Sequence, residues 1–307
     1  MKFGLFIALA ALSGAQSITK TYTPDLNGRM AEAITYGAGE GARAQKAQSI
    51  NGPKIPLEET QEKVLREDAS GKTTERTVRR YDQTGQLAST ERIVIEERKT
   101  SGGGSHSEQT TWLSDINGSA SKTEQRVSDT RVSGGTSTTE TAISRPSLNS
   151  GFETIEKRLL VSETSGDRKE SREVVQRRGG GGQFYDAVRE VRVTEKAGGS
   201  TKESTAIYEP GMTGQLELAR QNVSATSKRA DGSEITETSL FAAAVDGRVR
   251  ENGGAQQLQE QQIREKKAAA DGSVVETVSI RRPSISDPNK LGPAQKIAET
   301  VCTGKCQ

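Results

Sequence analysis

Histidine and tryptophan each occur once in this 307-residue chain, cysteine occurs twice, and aromatic residues make up only 4%. The scarcity of histidine bears first on catalysis. His106 lies in the run Gly102-Gly103-Gly104-Ser105-His106-Ser107, where it reads as a turn residue. A catalytic histidine needs an orienting partner and a nucleophile, and no motif supplies them. A cofactor loop is missing as well. The glycine run 179–182 lacks the Gly-Lys-Ser/Thr ending of a phosphate loop and reads as a long turn. No calcium loop of recognisable spacing is present. The residues therefore call for no cofactor and no metal, and the chain reads as non-enzymatic.

Apolar residues are thin too. Leu, Ile, Val and Phe make 55 of the 307 residues, below the share of about 20% that globular chains usually exceed. A thick core cannot be filled from this supply. High net charge, the usual companion of disorder, is also lacking: 43 basic residues meet 41 acidic ones. The charges are interspersed, as on a solvated surface, and no basic stripe attracts nucleic acid. After residue 12 no long apolar run appears, so the mature chain has no membrane span.

The N-terminus holds the one apolar run. Lys2 precedes it, residues 3–12 form it, and Ser13-Gly14-Ala15 supply the small residues of a cleavage site. This reads as a secretory signal over residues 1–15, cleaved on export to the periplasm or beyond.

What is plentiful is repetition. A Glu, often followed by Thr, then a short β-branched or aromatic run, then a turn with Gly, recurs in residues 75–87, 140–152, 203–216 and 237–249. The Glu falls at Glu75, Glu108, Glu140, Glu170, Glu203, Glu237 and Glu276, a period of about 32 residues. Such a period marks a repeat architecture. Between these stretches lie other runs rich in Val, Ile, Arg, Glu and Thr, joined by Gly turns such as Asp231-Gly232 and Asp271-Gly272. Two runs of about ten residues joined by Gly turns are a β-hairpin signature. Residues 256–270 contain good helix formers but occupy a strand position in the last repeat, and strand is the reading adopted.

Domain boundaries follow. A half repeat spans 16–35, since Thr21-Tyr22-Thr23-Pro24-Asp25-Leu26-Asn27-Gly28 matches the second half of a unit. Residues 36–56 read as a flexible insert, 57–290 as the hairpin array, and 291–307 as a C-terminal segment carrying a cysteine pair. The expected fold is all-β: an extended antiparallel meander of about fourteen strands, largely a single twisted layer. A coiled sheet closing into a hydrophilic tube or sandwich is the alternative. A lipid-facing barrel is disfavoured, because neither strand face is uniformly apolar.

Within the array, Tyr81-Asp82-Gln83-Thr84-Gly85-Gln86-Leu87, with weaker echoes at 24–30 and 246–249, resembles the Tyr-Asp repeat of secreted bacterial shell and toxin-delivery proteins. That resemblance implies that each repeat forms one β-hairpin of a larger wound sheet.

Cys302 and Cys306 are the only cysteines, and in an exported chain they read as one disulfide around Thr303-Gly304-Lys305. The recurring glutamates read as a ladder facing Arg or Lys across strands, with a row of carboxylates for cations or sugars as the other option. Trp112 and Tyr208 are sheet-face aromatics or a carbohydrate platform. The functional expectation is a structural scaffold or binding surface outside the cytoplasm, with a protein or carbohydrate partner at the cell envelope. Two alternatives stand beside it. One is a carbohydrate-active enzyme using paired carboxylates; the other is an assembly or transport partner that adds a strand to an open sheet edge.

Overall fold

The structure is a computed structural model, and it describes residues 17–24, 30–37, 43–49, 55–114, 118–148, 151–243, 256–284 and 290–303. The signal segment and the echo at 246–249 lie outside the described residues. Eighteen strands follow one another: β1 (Ser17–Pro24), β2 (Met30–Gly37), β3 (Arg43–Ser49), β4 (Ile55–Asp68), β5 (Gly71–Tyr81), β6 (Leu87–Lys99), β7 (Ser105–Ser114), β8 (Ala120–Ser133) and β9 (Thr136–Pro146) come first. β10 (Phe152–Ser165), β11 (Arg168–Arg178), β12 (Phe184–Ala197), β13 (Ser200–Pro210), β14 (Leu216–Lys228), β15 (Glu234–Ala243), β16 (Gln256–Ala268), β17 (Val274–Arg281) and β18 (Gln295–Thr303) complete the chain. One short 3-10 turn covers Ser101–Gly103, and no α-helix occurs among the described residues.

Each strand pairs antiparallel with the next, as hairpin repetition demands. The meander does not end in open edges. β1 pairs β2 on one side and β18 on the other, with Thr19 opposite Cys302 and Thr21 opposite Thr300. The extended open sheet therefore gives way to its alternative, a closed tube, and the strands number eighteen. Closure satisfies the outermost N–H and C=O rows, which in an open sheet invite another chain to pair.

Two segment readings change with it. The supposed insert 36–56 contains β3, whose run Arg43-Ala44-Gln45-Lys46-Ala47-Gln48 is too polar to read as a strand by itself. It is held by neighbours on both sides. The C-terminal segment contains β18, the closing strand. Residues 256–268 are strand, as their place in the repeat implies.

The loops explain the glycine and aspartate pattern. Five connections share one five-residue form: Arg229 N–H donates to Ser233 O at 2.8 Å and Gly232 N–H to Arg229 O at 3.0 Å. The same pair of bonds recurs at Asp82, Gly179, Gly211 and Ala269. Gly232 sits at φ 81°, where a side chain is strained. Asp231 accepts from the Ser233 backbone at 3.0 Å and its hydroxyl at 2.6 Å, fixing the loop. The hydroxyl bond holds the Asp231 carboxyl below its usual range. Asp271 with Ser273 and Asp82 with Thr84 behave alike. At the tight turn between β4 and β5, hydrogen bonds from Ser70 and then Arg66 bring Asp68 down to about 2.

No filled core exists among the described residues. Only scattered apolar side chains are buried, such as Val78, Ile143, Ile235, Val278 and Ile280. That fits a wall of eighteen strands, whose lumen is too wide for side chains to fill. The hydrogen-bond ladders and cross-strand pairs carry the sheet. Ser128 meets Thr141 and Thr130 meets Thr139 at 2.9 Å, and Ser224 meets Thr238 at 2.8 Å. Each such pair contributes on the order of 0.2–1 kcal/mol.

Candidate functional site

Residues opposite one another in the register share a face, so pairing sorts the wall into two faces. One face carries Arg126, Ile143, Glu156, Arg177 and Tyr185, linked through β8 to β12. Ion pairs run along it: Arg76 with Glu62 at 2.8 Å, Arg80 with Glu91 at 2.8 Å, Arg158 with Glu156 at 2.6 Å, and Arg192 with Glu203 at 3.7 Å. The opposite face is charged too. There Arg92 meets Glu75 at 2.6 Å, Arg79 meets Glu59 at 3.3 Å, and Arg168 meets Glu195 at 3.3 Å. Neither face is an apolar band.

The recurring glutamates lie one to each odd-numbered strand from β5 to β17, but they do not form one ladder. Glu75 meets Arg92, Glu203 meets Arg192 and Glu276 meets Arg264 at 3.4 Å, each across strands. Glu108 instead accepts from Gln125 at 2.6 Å, and Glu170 pairs with Arg168 of its own strand. Glu140 stands opposite Asp129 on one side and Leu159 on the other, and Glu237 opposite Ala225 and Ile263. Nor do they share one face: followed through the registers, Glu203 and Glu276 point to the other side from Glu75.

His106 is not in the glycine turn itself but at the start of β7, where its Nδ1 lies 2.7 Å from the Asp129 carboxylate. Trp112 lies under the Arg92 guanidinium, 5.1 Å from the ring centre, an arrangement that packs the ring against its neighbour strand. Tyr208 stands opposite Arg189 and Leu218 in the sheet. Cys302 is disulfide-bonded and sits on the closing strand; Cys306, the only other cysteine, lies outside the described residues. Among the described residues no three His, Cys, Asp or Glu side chains converge as metal ligands.

The most distinctive recess was not singled out in the sequence. It has a volume of about 390 Å³ and is lined by Arg126, Arg145, Arg158, Arg177, Arg178 and Tyr185, with Ile143 and Ile155 behind them and Glu124 and Glu156 between. Five adjacent strands, β8 to β12, contribute to it. Arg145 donates twice to Glu124 Oε2, at 3.1 and 3.0 Å, and Arg126 reaches Glu124 Oε1 at 3.4 Å. Arg158 donates to Glu156 at 2.7 Å and Arg177 lies 3.5 Å from the same carboxylate. At the rim Arg158 lies 3.6 Å from Glu173, and Arg178 pairs with Glu153. The Nε of Arg126 is buried without an acceptor. The five arginines span residues 126 to 178, and only the register brings them together. The one signal available from sequence was the spacing of the repeat itself.

No protein-family model matches the sequence, and no curated protein matches it. Solved structures do match. OmpF of Salmonella typhi, solved with daunomycin, aligns over 94% of this chain and 96% of its own, with a TM-score of 0.54 at 9% identity. A mutant of the Rh. blastica porin aligns over 94% and 99%, at TM-score 0.52 and 9% identity. OccK3 (OpdO) of Pseudomonas aeruginosa aligns over 94% and 93%, at TM-score 0.53 and 8% identity. The chain shares the fold of porin β-barrels. At such identity the likeness concerns the fold alone.

In this porin-type barrel both termini of the described chain, Ser17 and Thr303, lie at one end of the wall, because eighteen strands bring the chain back to where it started. The two-residue turns β4–β5, β8–β9, β10–β11 and β12–β13 are at that end. The other end carries five-residue loops and the two longer connections, β15–β16 and β17–β18. The arginine recess lies towards that second end, beside the loops that join β9 to β10 and β11 to β12.

Proposed function

We propose that this chain is a non-enzymatic, exported scaffold of the bacterial envelope: a hollow porin-type wall that stands in water and offers a polar surface to partners. The observation that carries this reading is charge at mid-strand on both faces. Arg92 and Arg172 on one face, and Arg76, Arg158 and Arg192 on the other, lie well inside their strands. An Arg facing lipid at the bilayer midplane costs about 2–4 kcal/mol. The two on one face would forfeit roughly 4–8 kcal/mol and the three on the other roughly 6–12 kcal/mol, comparable with the whole stability of an ordinary domain. Whichever face turns outward, the sum opposes lipid. Closure also disfavours recognition by strand addition, since β1 and β18 occupy each other's edges.

A second reading has one specific support. A wall of this strand number surrounds a water-wide lumen, and its fold is that of the porins; the second reading is an outer-membrane diffusion channel. One experiment separates the two. The full-length gene is expressed in a Gram-negative host, and the envelope is fractionated on a density gradient. The scaffold reading expects the mature protein in the aqueous periplasmic or extracellular fraction, monodisperse without detergent. Recovery only with the outer membrane, with conductance steps in planar bilayers, would replace it by the channel.

A further inference from the structure

The arginine recess on β8 to β12 has more donors than its neighbours use. Each guanidinium offers five N–H groups in a planar fork. Among the described residues Arg177 makes one ionic contact, at 3.5 Å, and Arg126 leaves its Nε buried with no acceptor. Two carboxylates line the recess against five arginines. A buried donor without an acceptor is costly to leave unmade, and a bound oxyanion would supply one. Guanidinium forks match carboxylate and phosphate oxygens in pairs, which ammonium groups do not.

Beside the arginines, Tyr185 is 52% exposed at the mouth, while Ile143, 4% exposed, forms part of the floor. The Tyr185 ring rests beside Gly179, and its exposed part offers a flat apolar plate to a ligand ring. The β-bulges in β10 at Ile155 and in β12 at Ala187 lie within this same stretch, and bulges re-aim the side chains beside them.

We infer that this recess binds an anionic saccharide, its carboxylate or phosphate groups held by Arg126, Arg145 and Arg177 and one sugar ring laid on Tyr185. The site needs only the folded wall. Its test therefore stands apart from whether the barrel resides in water or in a membrane.

The test uses the mature full-length protein and calorimetric titration with three probes: tetragalacturonate, neutral cellotetraose and inorganic phosphate. Tetragalacturonate should bind, weaken with added salt, and outcompete phosphate, while cellotetraose should not bind. The double variant Arg145→Gln/Arg177→Gln should weaken tetragalacturonate binding roughly tenfold or more. Arg177→Lys keeps the charge but loses the fork, and Tyr185→Ala removes the plate; both should weaken binding too. Arg192→Gln, on the same face but outside the recess, should leave it unchanged. Circular dichroism confirms that each variant is folded. The inference is overturned if tetragalacturonate does not bind, if the Arg145/Arg177 variant binds it as wild type does, or if cellotetraose binds equally well. It is equally overturned if phosphate alone binds as tightly as tetragalacturonate, since the recess would then recognise charge and not a saccharide.

Discussion

Closure of the wall rests on five residue pairs between β1 and β18, and it can be trapped covalently. In a chain with Cys302 and Cys306 both replaced by Ser, the substitutions Thr21→Cys and Thr300→Cys place two thiols on directly opposed residues. Opposed Cα atoms in antiparallel strands are about 4.5 or 5.5 Å apart, according to whether the pair is hydrogen-bonded. Both values lie within the range a disulfide accepts. Lys20→Cys with Val301→Cys tests the adjacent pair, so one of the two variants has the closer geometry.

The magnitude follows from the loop. Linking residues 21 and 300 closes about 280 residues, and the chain-entropy expression gives about 5–6 kcal/mol for so long a loop. Unfolding entropy scales with chain length at about 2.1 cal/mol/K per residue, so the melting temperature should rise by roughly 10 °C. Engineered bridges often deliver less, so this is the upper figure. The assay is a non-reducing gel with an intact mass, then thermal melting by circular dichroism with and without reductant. A monomer with an internal bridge and a reductant-sensitive gain in melting temperature is expected. Disulfide-linked dimers or free thiols in both variants would show that β1 and β18 do not meet, and the open array would return.

Three further outcomes come from the wall. Ala in place of Gly71, whose added Cβ would sit 2.0 Å from the Glu97 carbonyl oxygen, should destabilise by roughly 1–3 kcal/mol. Gly232→Ala, at φ 81°, should lose about 1–2 kcal/mol; denaturant midpoints read both. The turn aspartates Asp68, Asp82, Asp231 and Asp271 all have lowered folded-state values, so their contribution is complete above the unfolded value of about 3.9. It is lost as pH falls through the folded values. The melting temperature should therefore hold from neutrality to about pH 4 and fall from there to about pH 2, and a fall that is complete by pH 5 would refute this. Glu75→Ala removes the 2.6 Å Arg92 contact and should cost up to about 1 kcal/mol, whereas Glu140→Lys opposite Asp129 replaces a like-charge pair and should gain on the order of 0.2–1 kcal/mol. Equal losses in the two would show that position along the repeat, not the cross-strand partner, decides.

Hairpins were legible because each one is local. Asp231-Gly232 and Asp271-Gly272 name their turns, and the polar run at 256–268 could be placed by its slot in the period. β3 was hidden for the opposite reason: Arg43 to Ser49 has no apolar alternation, and only pairing with β2 and β4 makes it a strand. Closure was hidden because nothing local marks it. Residues 18–22 and 299–303 find each other across nearly the whole chain, and the curvature that brings them together accumulates over every intervening hairpin. The same distance hides the recess. Arg126 and Tyr185 lie 59 positions apart in sequence, and four consecutive registers with two bulges set them side by side.

The period itself carries a last consequence. Each unit of about 32 residues is two strands, so adding or removing one unit changes the strand number by two. β1 and β18 then still meet antiparallel, whereas removal of one strand would force a parallel seam that this meander cannot connect. Deleting residues 200–232 removes β13 and β14 and joins the Gly198-Gly199 turn to Ser233, which takes Ser200's place opposite Ala197, so that Glu234 and the rest of β15 keep their faces. The remaining sixteen strands keep the recess on β8 to β12 intact. Barrel diameter grows roughly linearly with strand number, so the tube should narrow by about a tenth and stay closed. X-ray scattering should show that smaller cross-section, and circular dichroism an unchanged β spectrum with a cooperative melt. The companion deletion of 216–233, which removes β14 alone, should aggregate or lose its cooperative transition. If both deletions fold equally well, closure does not govern the stability of the wall. If neither folds, each strand contributes something beyond what its repeated sequence encodes.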